Sequence, residues 1–175
     1  LRYNYNRIDF IDEPVDLGFD CPLDLHCSYT REQLLVAMDF MKPSIVREGV
    51  KWLPDKNIDV FFITLNKSDK DYSPTTMYQD YSINETLFHW QSQSTTNAEG
   101  KVGQRYINHR KNGSKVLLFV REFKNDIYGN TAPYTYLGTA NYVSHNGSKP
   151  MNITWKLDDP IPAKYLKKTN KLVVG

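Results

Sequence analysis

Cysteine is scarce in this sequence: Cys21 and Cys27 are the only two in 175 residues, in the segment CPLDLHC. Together with His26 they fall short of the four ligands of a structural zinc. A reduced pair is expected, as in the cytoplasm, with a disulfide across the short loop as the alternative. No apolar run approaches the roughly 20 residues of a membrane-spanning helix, and no signal-peptide pattern is visible. The familiar nucleophile and phosphate motifs are missing too: there is no G-x-S-x-G, H-E-x-x-H, Walker loop or G-x-G-x-x-G. His26, His89, His109 and His145 are scattered singly, and the acidic residues form no nuclease-like constellation beside a strand pair. These absences favour a cytoplasmic binding module without catalysis, cofactor or membrane contact. Four N-x-[ST] sequons (Asn84, Asn112, Asn146, Asn152) are discounted, because a chain rich in Asn, Ser and Thr produces them by chance.

Aromatic residues, by contrast, are abundant, at 13% with twelve tyrosines. Hydrophobic and charged shares of 40% and 24% are ordinary for a globular domain, and the length fits one domain with a real core. The net charge of +2 hides a polarised chain. Residues 1–100 carry 9 Lys and Arg against 16 Asp and Glu (net −7), whereas residues 101–175 carry 13 against 4 (net +9). The second half is thus a candidate for contact with a polyanion. The start at Leu1 suggests a piece of a longer protein, with a processed terminus as the alternative.

Along the chain, residues 1–29 are acidic and punctuated by Pro14, Gly18 and Pro22, and are expected to be a lead-in or linker with one short strand. Residues 30–175 then form a single domain. Thr30 to Met41 predicts a helix, with Thr30 and Gln33 as a capping box, Leu34, Met38 and Met41 on one core-facing side, and Pro43 as the stop. IDVFFITL (58–65) and KVLLFVREF (115–123) are continuous apolar runs, hence buried strands. LFHWQSQS alternates, which favours a strand over 86–94, although Ser82 to Glu85 offers a competing capping box. TTNAEGKVG reads as a flexible loop leading into the basic QRYINHRKNG. YTYLGTANYVSH (134–145) is a strand interrupted at Gly138, where a bulge is expected, and MNITWKL (151–157) is its hairpin partner. A short basic helix closes the chain. This predicts an α+β fold: a curled, mostly antiparallel β-sheet or barrel with flanking helices.

The chemistry concentrates between Tyr72 and Thr96. Five aromatics (Tyr72, Tyr78, Tyr81, Phe88, Trp90) lie there with Asp80, His89 and a run of hydroxyl and amide side chains. Flat rings beside hydrogen-bonding groups suit a planar polar ligand such as a nucleobase. The plainer alternative is that the rings are core and the polar residues solvated edges.

Three segments, DVFFITLNKSDKDYSPTTMYQDYSINETLFHWQSQS (59–94), GQRYINHRKNGSKVLLFVRE (103–122) and YTYLGTANYVSHNGSKPMNITWKL (134–157), carry a resemblance. They resemble the C-terminal domain of SauUSI-type modification-dependent type IV restriction enzymes, which join a phospholipase-D-like nuclease to a superfamily-2 helicase. The resemblance implies the part that reads duplex DNA containing 5-methylcytosine or 5-hydroxymethylcytosine, with the nuclease and helicase domains of the same parent chain as partners. It also implies a fold similar to the SET-and-RING-associated (SRA-like, PUA-like) barrel, which flips a modified base into an aromatic pocket. The motifs of that barrel family are missing here, so no pocket residue transfers by motif and the assignment rests on chemistry. Tyr78, Tyr81 and Trp90 can stack on a flipped cytosine, Asp80 can accept from its N4 amino group, and Gln91, Ser92 or backbone N–H groups can serve O2. Arg105, Arg110, Lys111, Lys115, Arg121 and Lys124 are the candidates for phosphate contacts. Competing expectations are a reader of another DNA mark such as N6-methyladenine, a single-strand binder, a non-catalytic protein-interaction or regulatory domain, and a small nuclease with an unrecognised site.

Overall fold

The computed structural model describes residues 17–43, 46, 49–66 and 80–169. The two continuous apolar runs lie at the centre of its sheet. They form β3 (Ile58–Asn66) and β6 (Lys115–Phe123), paired in parallel with Ile58 opposite Lys115. Every other pairing is antiparallel. The remaining strands are β1 (Ser28–Tyr29), β2 (Val50–Leu53), β4 (Tyr81–Ser82), β5 (Leu87–Gln91), β7 (Tyr134–Asn146) and β8 (Asn152–Leu157). The order across the eight-stranded sheet is β2-β3-β6-β7-β8-β5-β4, with β1 paired to β7. Among the described residues three helices flank it: α1 (Arg31–Ala37), α2 (Lys101–Ile107) and α3 (Ala163–Thr169).

A run with apolar residues at consecutive positions, as in Val60–Ile63 and Val116–Val120, must bury both faces. Phe61, Ile63, Val116, Leu118 and Val120 point to an inner face, where they meet Phe88, Trp90, Ile153 and Trp155. Val60, Phe62, Leu117 and Phe119 point to an outer face and meet Leu34, Leu35, Met38, Tyr134 and Tyr136. The sheet curls around its inner face. Phe61 of β3 and Trp90 of β5 stack at 4.2 Å between centroids, although β6, β7 and β8 separate their strands in the sheet. The curl matches expectation, but the barrel alternative does not hold: the sheet stays open, with the short strands β2 and β4 as edges that do not pair with each other. Interlocked rings, rather than a closed hydrogen-bond ladder, fill the interior.

The expected Thr30–Gln33 capping box closes α1: Thr30 Oγ1 accepts from Gln33 N at 3.1 Å and Gln33 Oε1 accepts from Thr30 N at 2.9 Å. The helix ends earlier than its apolar pattern implied. Asp39 takes a left-handed conformation (φ 62°), which turns the chain so that Met38 is buried while Met41 is 73% exposed. Gly138 sits at φ +93° where the β6–β7 register shifts between Leu118 and Phe119, as the interrupted strand predicted. A Cβ there would come within 2.9 Å of Leu25 Cδ1, so glycine serves both the bulge and the close approach of residues 17–29. That segment, expected as a lead-in, lays Leu17, Phe19, Leu23 and Leu25 against the outer-face core and adds β1 to the sheet.

Two local expectations are corrected. Residues 82–85 form no helix. Asn84 Oδ1 instead accepts from Thr86 N and Leu87 N and turns the chain into β5. The expected flexible loop before the basic segment is pinned and leads into α2. Ser148 Oγ accepts from Ala98 N at 2.9 Å, Thr96 O accepts from Lys149 N at 2.9 Å, and Ser92 Oγ accepts from Met151 N at 2.8 Å. Within residues 1–29, where one short strand was expected, 28–29 form β1; residues 1–16 and the chain end after Thr169 lie outside the described residues.

Candidate nucleic-acid interface

The structure divides the expected base-pocket residues between the two faces of the sheet. Trp90 points inward. Phe61 stacks on it and Tyr106 meets it edge-on at 5.5 Å, so its ring is a core ring. Tyr81 and Gln91 lie on the outer face, where Tyr81 is paired with His89 across β4 and β5. Their rings stack at 4.7 Å and 12°, both half-buried. Asp80 is buried just before β4, with Oδ1 accepting from Gln91 N at 2.8 Å, which ties the end of β5 to the chain entering β4. The Ser92 hydroxyl is engaged on both sides: it accepts from Met151 N and donates to Gln93 O at 3.0 Å. Tyr78 lies outside the described residues.

Alternation explains why the Tyr81–His89 pair sits where it does. In β5 and β8 the inward positions are Phe88, Trp90, Ile153 and Trp155, so the residues between them must face out. His89 is opposite Thr154 and Gln91 opposite Asn152, and Gln91 Nε2 donates to Asn152 Oδ1 at 3.1 Å. On β7, Ser144 and Asn146 continue the row. This end of the outer face is therefore a strip of amide and hydroxyl side chains, with the ring stack at its β4 margin.

The six expected phosphate-contacting cations do not form one cluster. Arg105 turns into the inner core and makes a two-point ion pair with the fully buried Asp59, Nε to Oδ2 at 2.9 Å and Nη2 to Oδ1 at 2.8 Å. Its guanidinium lies over Trp52 at 4.7 Å. Burial pushes the Asp59 carboxyl above its usual range, against the pull of Arg105. Arg121 is half-buried on the outer face. It donates to Thr64 Oγ1 at 2.9 Å and Ala132 O at 3.1 Å and lies over the Tyr134 ring at 4.3 Å. Burial lowers its pKa, with Arg31 nearby adding to the effect and Tyr134 opposing it. Arg110 and Lys111 are exposed in the turn after α2, where Arg110 Nη2 donates to Tyr142 O at 3.1 Å. Lys115 starts β6 half-exposed, and Lys124 is exposed in the β6–β7 hairpin.

Residues that sequence reasoning passed over complete the picture. Asp59 stood in plain view as a carboxylate inside an apolar run, the usual mark of a buried, paired charge. His109 is buried and uses both ring nitrogens: Nε2 accepts from Tyr142 N at 3.0 Å, which leaves Nδ1 to donate to Ser114 O at 3.1 Å. It joins the end of α2 to the bulged part of β7, and burial holds its pKa below the usual imidazole value. Both cysteines are free thiols, and among the described residues no group of three or more His, Cys, Asp or Glu side chains is placed to hold a metal. No helix among the described residues is long and apolar enough to cross a membrane.

The molecule is thus an α+β domain built on an open, curled, mostly antiparallel sheet. Residues 23–168, most of the chain, match the family model described as Domain of unknown function (DUF3427), and the chain belongs to that family. No curated protein matches it.

Proposed function

We propose that this domain recognises a DNA target carrying 5-methylcytosine or 5-hydroxymethylcytosine, without catalysing a reaction itself. It would serve as the target-reading part of an ATP-dependent restriction enzyme whose nuclease and helicase domains belong to the same parent chain. The observation that carries this reading is the half-buried Tyr81–His89 stack at the margin of an amide- and hydroxyl-lined strip. A ring face beside hydrogen-bonding side chains is what a base taken out of a duplex requires. The resemblance of segments 59–94, 103–122 and 134–157 to the recognition domain of such enzymes supports the same target, and an SRA-like manner of reading it belongs to this proposal. Tyr81 is the stacking ring. Gln91, Asn152 and Thr154 line the edge-reading strip, Asp80 and Trp90 hold the β4–β5 margin in place, and Arg110, Lys111 and Lys115 are the cations for phosphates.

The test is binding to matched duplexes with and without 5-methylcytosine, followed by fluorescence anisotropy at fixed salt. The modified duplex should bind more tightly, and Tyr81→Ala should erase the difference, a loss of about 1–3 kcal/mol for one stacked base. Equal affinities for the two duplexes would sink the proposal. A preference for N6-methyladenine instead would keep DNA reading and replace the mark.

A further inference from the structure

The β6–β7 hairpin carries exposed apolar side chains that do not enter the core of the described residues. Ile127 is 91% exposed, Tyr128 81% and Phe123 52%. Their turn is nevertheless well built. Asp126 Oδ1 accepts from Tyr128 N and Asn130 N, both at 2.9 Å, Asp126 N donates to Asn130 O at 2.7 Å, and Asn125 bridges Thr131. At the base of the same hairpin lies a cavity of about 230 Å³, where the apolar Leu65, Val120, Phe123 and Leu137 meet the charged Arg121 and Asp126. A protruding apolar tip and a recess of mixed apolar and charged lining thus lie at the two ends of one hairpin.

The order of residues 123–127 is self-complementary. It reads Phe-Lys-Asn-Asp-Ile: apolar, cation, amide, anion, apolar, symmetric about Asn125. In a two-fold pair, residue i of one copy meets residue j of the other and j meets i. An axis beside Asn125 places Lys124 against Asp126 of the second copy, Phe123 against Ile127 of the second copy, and the two Asn125 amides, each a donor and an acceptor, against each other. The described hairpin carries Arg121 and Lys124 against Glu122 and Asp126, so it sums to no net charge. That balance suits a copy of itself and does not suit a polyanion. Lys124 makes no ion pair among the described residues.

We propose that the β6–β7 hairpin is a self-association surface on which two copies of this chain pair about a two-fold axis near Asn125, the Ile127–Tyr128 tip of each seated at the hairpin base of the other. The contact lies apart from the Tyr81–His89 margin and stands whether or not the chain reads DNA.

Sedimentation equilibrium of the 175-residue chain over a wide concentration range is the test, in reducing buffer because Cys27 is exposed. The weight-average mass should rise toward twice the monomer and no further. Ile127→Asp should weaken association at least about tenfold with an unchanged melting temperature. Lys124→Glu should weaken it less, and more so at low salt than at high. A single monomer mass at all concentrations would overturn the proposal, as would growth beyond two copies. Association that Ile127→Asp leaves untouched in a folded protein would place the contact elsewhere and overturn it equally.

Discussion

The two ends of the sheet's outer face are built from the same backbone and meet opposite fates. At the β3–β6 end, Val60, Phe62, Leu117 and Phe119 are buried under α1 and residues 17–25. At the β8–β5 end, the equivalent positions are Gln91, His89, Thr154 and Asn152, only half-buried. The inner face is largely apolar at both ends, with the Asp59–Arg105 pair as its buried charge, so the contrast lies on the outer side. A strand covered twice carries apolar residues at consecutive positions, and a strand covered once alternates. The open end is where side chains are released from packing and can be given over to recognition.

The largest expected effect lies on the inner face that both ends share. Asp59→Ala strands the Arg105 guanidinium beside Trp52 without its carboxylate, and should destabilise the fold by about 3–5 kcal/mol in a urea melt. A loss below about 1 kcal/mol would mean that Arg105 escapes to solvent and that α2 is not anchored through this pair. Trp90→Ala should cost a similar amount, about 3–5 kcal/mol, because it removes the ring that Phe61 and Tyr106 pack against. A normally stable Trp90→Ala protein with impaired DNA binding would break the comparison, since it would return that ring to the site.

A pH dependence of intermediate size should come from His109. Burial lowers its native pKa, so the unfolded chain takes up the proton first as the solution is acidified. The stability tied to neutral His109 is fully present above the ordinary histidine value of about 6.5 and is lost as pH falls from there through the lower native value. Urea melts at about pH 7.5 and about pH 5.5 measure the slope. His26, whose pKa burial also lowers with Lys164 adding to the effect, contributes in the same direction. The difference between wild type and His109→Asn isolates the His109 share, and an unchanged slope would discard it. The smallest effect belongs to the open end: Tyr81→Ala removes a half-buried ring stacked on His89 and should cost about 1 kcal/mol of stability, the worth of a cross-strand aromatic pair, while its larger effect appears in binding.

The contrast between the two ends was legible in the residues, because IDVFFITL and KVLLFVREF are continuous runs whereas LFHWQ and NITWKL alternate. Local chemistry was legible too, in the Thr30–Gln33 cap and the irregularity at Gly138. What escaped depended on distant contacts. Trp90 looks like a ligand-stacking ring beside Gln91 and Ser92, but its face is taken by Phe61, which alternation within β5 cannot reveal. The helix α2 was hidden by Gly103, a poor helix former that is needed because a Cβ there would lie 2.2 Å from Asn97 O. Arg105 counted as one more surface cation until the fold brought Asp59 to it. Two of the cations counted in the basic half of the chain, Arg105 and Arg121, are spent on internal contacts with Asp59 and with Thr64 and Ala132.

The parallel pairing of β3 with β6 has a bearing on how the chain acquires its shape. The whole stretch from residue 67 to residue 114 must be made before β3 meets its central neighbour, and within that stretch β4 and β5 go to the far edge of the sheet. During synthesis from the N-terminus, β3 emerges apolar on both faces with only the short β2 hairpin beside it. Closing that long loop costs entropy before any contact rewards it, so docking of β6 should be late and rate-limiting. Until then the most hydrophobic strand of the domain is an exposed edge, and the interval between β3 and β6 is when the nascent chain is most open to aggregation.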